Sequence, residues 1–278
     1  MVSGKKTKAT RNSVAAARSS VVGSKPKPWG TIIAVIAVLG LAGGVFGYAF
    51  TQIQENNAKE AALAKWKPSD ENKDPSLALA GIVTKTYEGS RHVEPNQRVA
   101  YDQTPAFGGP HDAQWADCTG VVYDQAVRTE NMVHGLEHGA VWIAYNPDQV
   151  KDDALAKLKS RVEGIPYMML SPFPGLDKPV SLQSWGHQLK LDNADDERID
   201  QFISSLLRNP NTYPEVGATC ENTAFLSNPA PFVAEAPGPD AVPMDGGKQE
   251  SVTEEQAPQQ PDMSTPPASE SVSTPPSS

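Results

Sequence analysis

The chain has 278 residues, 24 of them Lys or Arg and 33 Asp or Glu, for a formal net charge of −9, and this length allows one or two domains. Residues 1–50 hold seven basic residues (Lys5, Lys6, Lys8, Arg11, Arg18, Lys25 and Lys27) and no acidic one, which leaves 17 basic and 33 acidic residues in 51–278, a net of −16. A surface that acidic repels phosphate backbones and excludes nucleic acid as a partner.

Residues 1–28 read as a basic cytoplasmic segment and 29–50 as a transmembrane helix. Gly30 to Phe50 is "GTIIAVIAVLGLAGGVFGYAF", without a charge, and a helix of that length spans roughly 30 Å, the thickness of a hydrocarbon core. Basic residues before it place the N-terminus in the cytoplasm and the remainder outside. Trp29 and Tyr48 sit where interfacial aromatics are expected. A cleaved signal peptide is the rival, but the apolar stretch is long and no clear A-x-A site follows. Gly40 and Gly44, and Gly43 and Gly47, are four apart, a spacing that lets two membrane helices approach and form a homodimer.

Residues 51–76 read as a stalk and linker: helix formers through Trp66, then "KPSDENKDPS". Residues 77–228 are expected to form one extracytoplasmic globular domain, large enough for a core. Its first part, from Ile82 to Ala126, is rich in turns. "GAVWIAY" (139–145) has the length and apolarity of a buried strand. Asn146 and Pro147 offer an N-cap and first position for a helix with Val150, Ala154, Leu155, Leu158 and Val162 on one face and Gly164 at its end. "IPYMMLS" (165–171) is the next strand; adjacent Met168 and Met169 face opposite ways on it and suit core packing better than copper. "PVSLQSWGHQLKL" (179–191) is a strand kinked at Gly186, or a hairpin. Asp192 or Asn193 can cap a last helix whose Ile199, Phe202, Ile203, Leu206 and Leu207 share a face. The second half is thus β-α-β-β-α, and the fold class α+β. From Pro229 the last 50 residues hold 11 prolines, eight acidic residues and one lysine; so little apolar surface predicts a disordered tail.

Cys118 and Cys220 are the two cysteines, and outside the cytoplasm such a pair is most simply a disulfide. The histidines are His92, His111, His134, His138 and His187. "MVHGLEHGAVWIAYNPD" (132–148) places His134 and His138 four apart, so that on a helix their rings share a face. Read literally, His134-Gly-Leu-Glu137-His138 matches H-x-x-E-H, in which Glu137 would be the general base of a zinc hydrolase. Against that, Thr129 could start a helix of only about nine residues before Gly139, and Gly135 inside it costs about 1 kcal/mol. His111 follows the turn "FGGP" and precedes Trp115 and Cys118. The metal reading joins His111, His134 and His138 around Zn or Cu, with Glu137 or Asp112 orienting a ligand and His92, Glu130 and Glu137 as supporting polar groups. The opposing reading makes them a structural hydrogen-bond network. His187, beside Gly186, is expected to be exposed. No Gly-rich phosphate loop and no G-x-S-x-G is present.

"HVEPNQRVAYDQTPAFGGPH", "WADCTGVVYDQAV", "ENMVHGLEHGAVWIAYNPD", "SPFPGLDKPVSLQSWGHQL" and "PEVGATC" resemble, in order, the Domain of unknown function 3105 family, over roughly residues 80–220. The matching positions are His92, Tyr101, His111, Trp115, Cys118, Tyr123, Glu130, His134, Glu137, His138, Gly139 and Trp185; Thr119 before Gly120 is an extra residue relative to the family pattern. The resemblance implies a mostly bacterial, commonly actinobacterial protein with an N-terminal membrane segment, and no activity. Three readings stay open: a non-catalytic binding module with a His-based Zn or Cu site, a zinc hydrolase, and an envelope adaptor with structural histidines.

Overall fold

The computed structural model describes residues 28–245; the expected cytoplasmic arm through residue 27, and the tail beyond 245, lie outside the described residues. One 35-residue helix, α1 (Trp29–Leu63), carries the apolar span and continues to residue 63 of the expected stalk. At 1.5 Å per residue it is about 50 Å long, against roughly 30 Å of hydrocarbon. None of its residues is buried, and it is the one helix among the described residues long and apolar enough to cross a membrane. Short 3₁₀ segments follow at Ala64–Trp66 and Pro75–Ala78, the second opened by Asp74, whose Oδ1 accepts the Ser76 N–H at 3.1 Å.

From here the domain is built on a six-stranded sheet. Its strands are β1 (Val83–Thr84), β5 (Thr119–Val122), β6 (Val141–Tyr145), β7 (Met168–Pro172), β8 (Val180–Ser184) and β9 (His187–Leu191), in the order β1-β9-β8-β6-β7-β5. Strands β5, β7 and β6 run parallel, and β6, β8, β9 and β1 antiparallel. The parallel neighbours β6 and β7 need a crossover, supplied by α3 (Asp152–Lys159). Strands β8 and β9 are a hairpin turning at Trp185–Gly186, with Ser184 opposite His187.

Period-two alternation sends each central strand into two cores. Val141, Ile143, Met168, Leu170, Leu182 and Leu189 face α3 and α4 (Arg198–Leu206) with Leu158, Ile199 and Phe202. Trp142, Ala144 and Met169 face the other way, onto Met132, Val133 and Leu136 of α2 (Thr129–Glu137). Both methionines are therefore core, one on each side. The turn-rich first half forms this second layer. It contributes β2 (His92–Val93), β3 (Val99–Ala100) and β4 (His111–Asp112), with β2 and β4 paired in parallel.

Two helix starts differ from the expectation. Asn146 does not cap α3; its Oδ1 accepts the Asp148 N–H at 2.9 Å and its carbonyl the Val150 N–H at 2.9 Å, making a separate turn, and the helix begins at Asp152. Likewise Asn193 Oδ1 takes the Asp195 N–H, and Asp196 Oδ1 takes that of Arg198 at the true start of α4. Short polar side chains compete for nearby N–H groups, so each formed a turn before the helix.

Past a short helix, α5 (Thr223–Ser227), the chain returns along the second layer. Arg128 and Phe232 donate their N–H groups to Ala230 and Ala126, and the Phe232 ring packs on Phe173 at 4.8 Å. Strand β10 (Val242–Pro243) pairs in parallel with β3. Residues 229–245 of the Pro-rich segment thus lie against the domain.

Cys118 and Cys220 are at disulfide distance, with Cα atoms 4.8 Å apart at a sequence separation of 102. Cys118 N–H also donates to the Cys220 carbonyl at 3.0 Å. Replacing both by serine should lower the unfolding free energy by about 4–5 kcal/mol, the entropy of a loop of about 100 residues. Urea denaturation of the two forms would measure it; equal midpoints would refute a closed loop.

Candidate metal centre

Helix α2 supplies the centre of the cluster. His134, Glu137 and His138 stand at i, i+3 and i+4 and so project from one face, all three at most 1% exposed. The helix ends there because Gly139, at φ +92, enters the left-handed region: its N–H donates to Leu136 and that of Ala140 to Gly135, the paired closing bonds of a glycine-capped terminus. Gly135 has a packing reason to lack a side chain, since a Cβ there would stand 2.9 Å from Met169 Cε. Its propensity cost is thereby exchanged for close approach of helix to sheet.

Two more histidines arrive from the turn-rich layer. In the parallel β2–β4 pair His92 is directly opposite His111, so their side chains leave on the same face. The His92 ring lies 5.0 Å from His134 and 5.1 Å from His111, and His111 is 4.7 Å from His134. Trp115 walls the far side, 5.5 Å from His134 and 5.0 Å from His138.

The hydrogen bonds fix which nitrogens face inward. His111 Nδ1 meets the Gly109 carbonyl at 2.8 Å, His134 Nδ1 that of Asp112 at 2.6 Å, and His138 Nδ1 that of Thr219 at 2.7 Å. A carbonyl only accepts, so each Nδ1 carries the proton and each Nε2 offers a lone pair. His111 Nε2 lies 2.8 Å from Glu137 Oε2, and His138 Nε2 3.3 Å from Glu215 Oε2. Yet His111 Nε2, His138 Nε2 and Glu137 Oε2, all buried, have no hydrogen bond of acceptable geometry. They are close without being aimed at one another. Glu137 Oε1 is differently placed and accepts the Ser90 N–H at 2.6 Å.

Ligand-capable atoms within 4.8 Å of one another fall into two sets that share a residue: His92, His111, His134 and Glu137, and His134, His138 and Glu215. Of the residues singled out in the sequence, His111 and His134 therefore meet in the first set, and His138 joins His134 in the second. Glu130 stays outside both; its Oε1 accepts the Val99 N–H at 3.0 Å and its Oε2 pairs with Arg128 Nε at 3.3 Å. Asp112 orients His134 through its carbonyl, while its carboxylate pairs with Arg128. His187 is a correction: it is 9% exposed, with Nδ1 on the Trp185 carbonyl at 2.7 Å and Nε2 3.0 Å from Asp74 Oδ2. Glu215 was missed. Its one signal is proximity to Cys220, which brings residues 215–219 beside α2.

Residues 92–222 match the model of a family described as Protein of unknown function (DUF3105). That segment of the globular domain is similar to the family. No curated protein and no solved structure matches the chain. All six members of the two sets lie within the matched DUF3105 segment.

Burial first, then the neighbouring His111 and His138, hold His134 well below the ordinary imidazole value of 6.5. The close approach of the His138 ring holds Glu215 below its ordinary 4.5, against the opposing effect of burial. For His134 the unfolded chain binds a proton below pH 6.5 that the folded chain refuses, so stability falls as pH drops below that value. For Glu215 the contribution present above 4.5 is lost on further acidification, with the same sign. Thermal midpoints of chelator-treated protein should therefore fall steadily from pH 7 to pH 4.5; a flat profile over that range would contradict the buried neutral imidazole.

Proposed function

We propose that the domain is a non-catalytic metal-binding module of the cell envelope, carried outside the membrane on α1, and that it holds one Zn²⁺ or copper ion between His92, His111, His134 and Glu137. The observation that carries this reading is the convergence of three imidazoles and a carboxylate within 4.8 Å, with the Nδ1 of His111 and of His134 pinned to backbone carbonyls. Ligation near 2.1 Å on a tetrahedron separates neighbouring ligand atoms by about 3.4 Å, so side-chain shifts of about 1 Å would close the set. Imidazole nitrogen suits zinc and copper, and four protein ligands, three of them buried, are the closed arrangement of a holding site rather than the open one of a catalyst.

Glu137 is poorly placed as the general base of a hydrolase. Its Oε1 is taken by the Ser90 N–H, and a Cβ added at Gly89 would stand 2.8 Å from that oxygen. Backbone covers the position a substrate would need. In the purified full-length chain, elemental analysis should find one zinc or copper per molecule, and His134→Ala or His111→Ala should lower it at least tenfold. A metal-free native protein would leave the histidines as scaffolding, and peptidase or amidase activity abolished by Glu137→Gln would favour the hydrolase.

The topology rests on two supports. Basic residues precede the span, which favours a cytoplasmic N-terminus, and a cysteine pair at disulfide distance suits an oxidising compartment. Protease added to intact cells should remove the domain; digestion only after lysis would reverse the orientation.

A further inference from the structure

The second set, His134, His138 and Glu215, needs its own account. His138 is 1% exposed and its Nε2 has no hydrogen bond, although its Nδ1 is fixed on Thr219. A buried ring held at one nitrogen, with a carboxylate oxygen 3.3 Å from the other but not hydrogen-bonded to it, is set up to receive a cation between them. Glu215 differs from Glu137 in exposure: its side chain is 28% exposed, and that of Glu137 is 0%. Its Oε1 reaches toward Ser90 Oγ at 3.4 Å, while Oε2 faces His138. Glu215 is thus the more exposed of the two carboxylates and borders the second set, His92 is the one half-buried member of the first, and His134 is common to both.

The shared residue constrains how both sets can work. His134 Nδ1–H is committed to the Asp112 carbonyl, so the ring has one lone pair, on Nε2, to give. It cannot ligate two ions at once. We propose that His134, His138 and Glu215 form an outer metal position through which the ion enters and leaves the inner one, with His134 handing it across. This rests on the metal-holding reading above. In the exchange the bond to His134 Nε2 persists, those to His138 Nε2, a Glu215 oxygen and a solvent water break, and those to His111 Nε2, a His92 ring nitrogen and a Glu137 oxygen form. Total charge is unchanged, because one carboxylate replaces another. Ligand-by-ligand replacement avoids stripping the ion bare in a buried site, which the solvation cost of a divalent cation would forbid. The domain then exchanges its metal and does not merely entomb it.

The test uses full-length protein and Zn²⁺. Metal content at equilibrium and the rates of uptake and of removal by a soluble chelator are measured for the native chain, Glu215→Gln and His138→Phe. Glu215→Gln keeps the side-chain shape at a partly exposed position, and circular dichroism verifies that it folds. The expected result is about one zinc in all three proteins, with uptake and removal both slowed about tenfold or more in the variants. Unchanged rates with full content would make His138 and Glu215 scaffolding and overturn the proposal. Loss of zinc from Glu215→Gln would overturn it in another way, by making that residue a ligand of a single centre. Absence of zinc from the native chain would instead defeat the metal-holding reading itself, so the two failures are distinguishable.

Discussion

A buried carboxylate crowded by three imidazoles, two of them fully buried, is the constraint on which the domain's architecture depends. Removing an ionised carboxylate from water costs several kcal/mol even after relaxation. Against this, Glu137 has one hydrogen bond to an N–H, from Ser90, and a bond of that charged type contributes about 1.5–3 kcal/mol. The remaining oxygen, Oε2, has only the misaligned contact with His111. A cation between Oε2 and the Nε2 atoms is the partner that the proposed metal site would supply.

The rest of the second layer holds those side chains still. Three carbonyls, from Gly109, Asp112 and Thr219, set the tautomers of three rings, and each carbonyl is itself anchored. The Asp112 side chain is paired with buried Arg128, which Glu130 also holds. Thr219 precedes Cys220, at disulfide distance from Cys118, and Asn222 N–H donates to Asp117 Oδ2 at 2.7 Å. Tyr101 donates its hydroxyl to the Pro110 carbonyl at 2.7 Å, beside His111. The turn-rich half lacks long strands, and side-chain bonds to backbone replace the sheet ladder in fixing it.

The sheet beneath explains why α2 can present its face so rigidly. Trp142, Met169 and Leu136 are fully buried against one another in one core, and Gly135 lets the helix backbone sit on Met169. On the opposite side α3 and α4 cover the same strands. With both faces packed, the sheet fixes α2, and α2 fixes His134, Glu137 and His138.

What the sequence by itself determined follows from short-range periodicity. The apolar runs of β6 and β7, the β8–β9 segment, the buried faces of α3 and α4, and the shared face of His134, Glu137 and His138 could all be read there, because spacings of two and of three to four act within one element. The helix starts were less legible, since Asn146 and Asn193 compete locally for turns as well as caps. The pairing of His92 with His111 could not be read at all: β2 and β4 are two residues each, too short for any period, and their register is set by the packing around them. The same holds for Glu215, which the cysteine pair carries to the cluster across roughly a hundred residues of chain. Local chemistry chose the imidazoles of α2; only long-range closure decided which carboxylates and which further histidines would meet them, because that depends on contacts no single segment contains.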